Sequence, residues 1–359
     1  MPESENNVEM LLSNKVSWLS DSGPEDDIAI SSRIRLARNL EGIPFTISAD
    51  PERLANTMSA IQVAIRKAGC FNLPLDFNLI KLKELDRKVL LERRLISREF
   101  VAERYGAGIV VNRDEDIGIM INEEDHIRIQ ALKPGFQLRE VWEAINAFDD
   151  NLGKELPYAF DNDLGYLTSC PTNVGTGMRA SVMLHLPGLV LSGQIYAVTQ
   201  GVSKLGLAVR GFFGEGTENL GNLYQISNQS TLGESEEQIV DRLSTVIRQI
   251  IGHEKNARQA LLEKKQEFLL NHVGRAYGIL RHAYIISSEE TLNSLSALRM
   301  GVDMGMFSSV DIHTVNELFV IIQPAHLQKY AKKELVSEER DVFRAALVRE
   351  KLRTIDKNA

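Results

Sequence analysis

Cysteine is scarce in this chain of 359 residues: Cys70 and Cys170 are the only two, and they stand far apart. Two such thiols make no disulfide framework, and no Cys/His group has the spacing of zinc ligands, so neither staple is expected. Positive charge is outnumbered, since 41 Lys and Arg face 49 Asp and Glu for a formal net charge of −8. Nucleic acid and anionic membrane surfaces are repelled overall by such a chain, and neither is expected as a direct partner. No apolar run approaches the roughly 20 residues needed to cross a bilayer. The opening residues Met1-Pro2-Glu3-Ser4-Glu5 are polar and acidic, so no signal peptide and a cytoplasmic location are expected. The remaining composition, 43% hydrophobic and 25% charged, supplies core for one large domain or two ordinary ones.

Patterning divides the chain. Residues 1–23 read as a polar lead-in with a short helix around Met10–Leu19. Ile28–Leu36 reads as a strand, and Asp50-Pro51-Glu52 opens a helix that keeps Leu54, Met58, Ile61 and Ile65 on one face. Between Gly108 and Leu132 the period changes to that of a meander of about three antiparallel strands. Gln137–Leu152 returns to helix, and Leu205–Arg210 and Leu223–Ser227 read as strands. Ser235-Glu236-Glu237-Gln238 is a capping box, opening a helix expected to run to about Ile251. Beyond His253 only helical patterns follow: His253–Ala283, a helix capped near Ser287, Asp311–Gln323 and Ser337–Ile355. The expected fold class is α+β, an antiparallel sheet flanked by helices over 24–254, with an all-helical domain over 255–359.

Five segments carry chemistry, and each also has a plain structural reading. Ser31-Ser32-Arg33-Ile34-Arg35 puts two guanidinium groups on one strand face, a match for phosphate or for scattered ion pairs. Asn122-Glu123-Glu124-Asp125-His126-Ile127-Arg128 ends an apolar strand with three acids, which more often mark a surface turn. Cys170-Pro171-Thr172-Asn173-Val174-Gly175-Thr176-Gly177-Met178-Arg179 combines a thiol, two glycines able to turn amides toward an anion, and an arginine. Arg210-Gly211-Phe212-Phe213-Gly214-Glu215-Gly216 brings an arginine and a glutamate onto a glycine-rich loop. Arg340 and Arg344 share a face of the last helix, the usual pattern of a solvated surface.

The first four segments, in this order from about residue 24 to 254, together resemble the guanidino (phosphagen) kinases. The resemblance implies an antiparallel sheet flanked by helices and ATP with Mg2+ as cofactors. It implies that Arg33, Arg35, Arg128, Arg179 and Arg210 embrace the nucleotide phosphates. Ser31, Ser32, Ile34, Ala180, Ser181, Val182, Met183, Gly211, Phe212, Phe213 and Gly214 belong to the same nucleotide-binding segments. Glu124 matches the carboxylate that grips the substrate guanidinium, Glu215 a second one, and Cys170 a cysteine beside it. Arg94 and Met183 stand where the family has histidines, which alters the expected adenine contacts. No dedicated carboxylate cage is present in the pattern, so magnesium is expected on phosphates and water, with no protein metal ligands.

About 30 residues precede the first arginine strand, too few for the domain that encloses small substrates in those kinases. A helical C-terminal domain is present instead, and Arg340-Asp341-x-x-Arg344-Ala345 resembles the phosphoarginine-binding motif of the bacterial protein-arginine kinases. That resemblance implies transfer of the γ-phosphoryl of ATP to arginine side chains in proteins, with phosphoarginine sensed allosterically. It also implies an activator protein and stress-response protease or repressor partners, and the long C-terminal helices suit a homodimer. A kinase of free arginine and an inactive adaptor remain the alternatives.

Overall fold

Side-chain alternation along one ten-residue strand decides how the sheet is built. In the computed structural model, which describes residues 3–69, 71, 74–102, 104–211 and 220–356, that strand is β1 (Ala29–Arg38). The others are β2 (Leu75–Asn78), β3 (Gly108–Val111), β4 (Ile117–Ile121), β5 (Ile127–Pro134), β6 (Phe160–Asp161), β7 (Gly165–Tyr166), β8 (Met178–His185), β9 (Leu207–Gly211) and β10 (Leu223–Asn228). β6 and β7 pair as a separate hairpin. The rest form one antiparallel sheet in the order β2-β3-β4-β5-β1-β8-β10-β9, with β1 near its centre. The expected meander is β3–β4–β5.

The helices are α1 (Glu3–Ser13), α2 (Ser17–Ser20), α3 (Pro51–Ala68), α4 (Glu84–Glu92), α5 (Leu138–Gly153), α6 (Pro187–Leu191), α7 (Ile195–Lys204) and α8 (Glu236–Lys264), then α9 (Gln266–His282), α10 (Ser288–Asp303), α11 (Ile312–Ile321), α12 (Pro324–Ala331) and α13 (Ser337–Asp356). α3 forms where its caps predict: Asp50 accepts the amide of Arg53 at 2.9 Å, Pro51 leads, and Gly69 closes it with a left-handed φ of 62°. α8 has its capping box but runs on to Lys264 rather than ending near Ile251. Gly252 alone costs a helix only about 1 kcal/mol, and the buried Glu254–Arg258 pair, at 2.7 Å, holds the next turn.

One face of the sheet is largely apolar. Ile34, Leu36, Ile129, Val182 and Ile226 bury there against α3, α5 and α8. The opposite face is covered only in part. Along the β2–β4 edge, Phe77, Ile109 and Met120 pack under α1, α4 and α12. At the other end, Ile30, Leu132, Met183 and Leu223 pack under α2, α10, α11 and α13. Each fully buried side chain of this size contributes roughly 1.5–3 kcal/mol, so the helical half is bound to the sheet by a continuous core. A strip between the two covers stays open. Among the described residues, no helix is long and apolar enough to cross a membrane.

A buried polar cluster backs that junction. Arg299 donates to the carbonyl of Asp27 (2.8 Å), pairs with Asp303 (3.0 Å), and points Nη1 at His185 Nδ1 (3.2 Å). His185 Nε2 lies 2.8 Å from Ser296 Oγ. Since Arg299 can only donate, Nδ1 must accept, and the imidazole is neutral. Burial first, then Arg299 and Arg258, hold its pKa well below the ordinary histidine value.

Candidate active site

The register of the sheet puts five arginines on the open strip. Arg35 of β1 stands opposite Gln130 of β5 and Arg179 of β8, while Arg33 faces Leu132 and Ser181. Arg128 of β5 stands opposite Ala37. Arg210 of β9 is opposite Gln225 of β10, itself opposite Met183. Paired residues share a sheet face, as do residues two apart on a strand. The five guanidinium groups therefore rise from one face, and all line one cleft of about 1200 Å³ with Arg94, Glu124 and Cys170. That exceeds the roughly 300–1,000 Å³ of a pocket for one small molecule, so two reactants fit.

These cations strain against one another. Burial at the cleft floor, then Arg179 and Arg128, lower the pKa of Arg33 to about 10. Arg35 is lowered well below the usual arginine value by burial and then by Arg33, Arg128 and Arg179. A polyanion set among these guanidinium groups would replace repulsion with attraction. Arginine forks match phosphate oxygens in charge and geometry.

The three acids after β4 separate by role. Asn122 turns with φ of 57° and its side-chain amide donates to the carbonyls of Leu54 (2.8 Å) and Gly106 (2.6 Å). Glu123 is buried, accepts from Ser97 Oγ at 2.6 Å, and pairs with Arg128 at 2.6 Å. Asp125, fully buried, accepts from Asn39 and from the amide of Ser169, both at 2.7 Å. His126 accepts the amide of Leu40 (3.0 Å) and faces the carbonyl of Pro44 (2.9 Å). Glu124 alone is left half-exposed over the cleft, accepting from Arg128 at 2.8 Å. The segment is a pinned turn with one carboxylate presented, rather than a solvated acidic loop.

Cys170 is half-buried with Sγ 3.0 Å from Thr172 Oγ1. The glycines after it act differently from the expected anion nest. Gly175, at φ 109°, would drive a Cβ to 2.2 Å from the carbonyl oxygen of Thr231, and Gly177, at φ 61°, to 2.6 Å from that of Ala37. They let the loop pack on the chain, with the Thr176 amide donating to Thr231 (2.9 Å) and that of Ala37 to Gly177 (2.9 Å). The loop thus sets where Cys170 sits beneath the cleft wall.

Arg94 ends α4 in a Schellman closure: the amide of Leu95 donates to the carbonyl of Leu90 (2.9 Å), and that of Arg94 to Leu91 (2.9 Å). The left-handed residue in that motif is usually glycine, yet here it is arginine at φ 66°. Burial, then Arg33 and Arg98, lower its pKa to about 9. Beside it, Glu92 receives the amides of Ala325 (2.7 Å) and His326 (2.9 Å) at the start of α12, so the C-terminal half forms part of the cleft wall.

Several expected nucleotide-binding residues lie elsewhere. Ile34, Ala180 and Val182 alternate to the apolar face and are fully buried. Ser32 points the same way, its hydroxyl donating to the carbonyl of Gly135 at 2.9 Å. Ser31 and Ser181 are buried, Met183 lies beneath the helices, and Gly211 closes β9 opposite Tyr224; none lines the cleft. Phe212, Phe213, Gly214 and Glu215 fall outside the described residues.

The last helix is not the solvated face that its spacing alone suggests. Arg344 is buried, donating to the carbonyls of Ile322 (3.2 Å) and Ile286 (3.0 Å) and pairing with Asp341 at 2.5 Å. Ala345 is core. Arg340, half-buried, donates to the carbonyl of Leu335 at 2.8 Å. This cluster is separate from the cleft. Residues outside the five segments do reach the cleft, among them Arg98 and Arg104; Arg104 donates to the Glu123 carbonyl at 2.8 Å.

Residues 60–257 match the family model of the ATP:guanido phosphotransferase C-terminal catalytic domain, and residues 266–359 that of the protein-arginine kinase McsB C-terminal domain. The protein-arginine kinase of Pelotomaculum thermopropionicum is 48% identical over 335 residues, 92% of this chain and 94% of its own. That of Halothermothrix orenii is 47% identical over 344 residues, 96% of this chain and 98% of its own. Among solved structures, a lombricine kinase superposes with a TM-score of 0.57 at 25% identity, covering 70% of each chain. Because the similarity runs through the helical half as well as the arginine-lined sheet, the chain belongs to the ATP:guanido phosphotransferase family, among the protein-arginine kinases.

Proposed function

We propose that this protein transfers the γ-phosphoryl group of ATP to the guanidinium of arginine side chains displayed on proteins. The observation that carries the reading is the gathering of five arginines on one sheet face around the half-exposed Glu124. Arg33, Arg35, Arg128, Arg179 and Arg210 hold the phosphate chain and offset the charge that spreads over the transferring group. Mg2+ would be carried mainly by the phosphates and water, where it would neutralise charge.

Glu124 grips the acceptor guanidinium and takes one proton as a guanidinium nitrogen attacks phosphorus and the bond to the ADP oxygen breaks. Positioning of this kind is worth about 7–11 kcal/mol in favourable cases. Cys170 sits beside the acceptor, and Glu215 is assigned as the second carboxylate. Arg340 and Asp341 would sense phosphoarginine, with Arg344 as the residue that positions them. A homodimer through the C-terminal helices, a cytoplasmic location, an activator and stress-response protease partners complete the reading.

The test is incubation with ATP and Mg2+ and either a model protein or free arginine. The expected product is a protein phosphoarginine, stable in base and lost in acid, located by mass spectrometry under non-acidic conditions. Phosphorylation of free arginine alone would overturn the proposal.

A further inference from the structure

Three apolar side chains stand at the acceptor end of the cleft with little reason to be wet. Ile47 is 90% exposed and Tyr105 56% exposed, and the half-buried Leu54, in the first turn of α3, lines the cleft beside them. Scattered exposed apolar residues are ordinary; these three are not scattered, because the Leu54 carbonyl and the chain neighbours of Ile47 and Tyr105 are tied to the turn that presents Glu124. Thr46, next to Ile47, donates its hydroxyl to the carbonyl of Glu124. Asn122 donates to the carbonyls of Leu54 and of Gly106, the neighbour of Tyr105. A Cβ on Gly106 would come within 2.7 Å of Leu54 Cβ, so those two segments already touch. Arg104, on the other side of Tyr105, donates to the carbonyl of Glu123 at 2.8 Å.

We propose that Ile47, Leu54 and Tyr105 form a docking shelf for an apolar side chain next to the target arginine in a polypeptide substrate. The inference rests on the proposed function, since free arginine has no neighbouring residue to place there. An extended chain advances about 3.3 Å per residue, so a flanking side chain lands within one or two residues of a guanidinium held at Glu124. The occupant is a peptide rather than a second nucleotide or a metal: the three shelf side chains are uncharged, the neighbouring Arg104 is engaged by the Glu123 carbonyl, and the phosphate-binding arginines rise from the sheet.

The test uses the full-length enzyme with ATP and Mg2+ and peptides that differ only beside a single arginine: leucine, phenylalanine or serine. Partial burial of one such side chain should raise kcat/KM about tenfold over the serine peptide, carried by KM. In Ile47→Ser and Tyr105→Ser that ratio should fall below about threefold. Ile47 is almost fully exposed, so its replacement leaves the core intact, and the wild-type peptide comparison stands without any variant. Equal efficiency on all three peptides would overturn the shelf and leave the kinase assignment standing. A ratio kept in both variants would overturn the assignment to these residues. Inert peptides with phosphorylated free arginine would sink both readings.

Discussion

Replacing Arg94 by glycine should stabilise the ligand-free protein while weakening its hold on ATP. Arg94 occupies the left-handed position of the α4 closure at φ 66°, a conformation that costs a side-chain-bearing residue about 1–2 kcal/mol. Glycine removes that strain, though its freedom in the unfolded chain takes back about 0.5–1 kcal/mol. The variant also deletes a cation whose pKa burial and two neighbouring arginines have lowered to about 9, which adds in the same direction. A net gain near 1 kcal/mol corresponds to a melting temperature about 2 °C higher for a chain of this size. ATP, in contrast, loses a charge-assisted contact worth about 1.5–3 kcal/mol, which raises its KM about 10- to 100-fold. Thermal unfolding with and without ATP, together with steady-state kinetics, reads both effects. A less stable ligand-free variant with an unchanged KM for ATP would refute the account of why arginine is tolerated there.

Other perturbations have equally directed outcomes. Glu124→Gln should leave ATP affinity near normal and cut turnover at least about 100-fold; a near-normal rate in a quenched-flow assay would remove Glu124 as the base. Arg344→Ala orphans two buried carbonyls and should cost about 3 kcal/mol in chemical denaturation, whereas Arg340→Ala should cost under about 1 kcal/mol yet weaken phosphoarginine binding in calorimetry. His185 is held neutral in the fold, so below its ordinary pKa of about 6.5 the unfolded chain binds a proton that the folded chain refuses. Stability should therefore be full above that pH and decline below it by up to about 1.4 kcal/mol per unit, and the slope should flatten in His185→Gln.

Much of the cleft was legible because the strand period is two. Arg33 and Arg35 had to share a face, and the acids after β4 and the arginine after the glycine loop could be placed on neighbouring strands. Their closeness to one another depends on register, which the spacing within each segment does not contain. For the same reason Glu123, Asp125 and Arg344 read as surface charges: what buries them is a partner far along the chain, such as Ser97, Asn39 or the carbonyl of Ile322. Gly175 and Gly177 were legible as necessary glycines but not for the right cause, because Thr231 and Ala37 are what they make room for. Neighbouring strand positions such as Ile34 and Val182 share those segments, but alternation sends them to the core. The reach of α8 past Ile251 is not legible in the spacing, because a lone glycine does not stop a well-packed helix.

The amides that open α12 close on Glu92, and α10, α11 and α13 help to roof Leu132, Met183 and Leu223. A chain cut after α8 would leave that carboxylate bare and that strip of sheet wet. Such a fragment should aggregate rather than behave as a smaller kinase, so grafting this sheet onto another protein requires a replacement roof as well as a linker. The helical half is masonry for the nucleotide chamber, whatever messages it also carries.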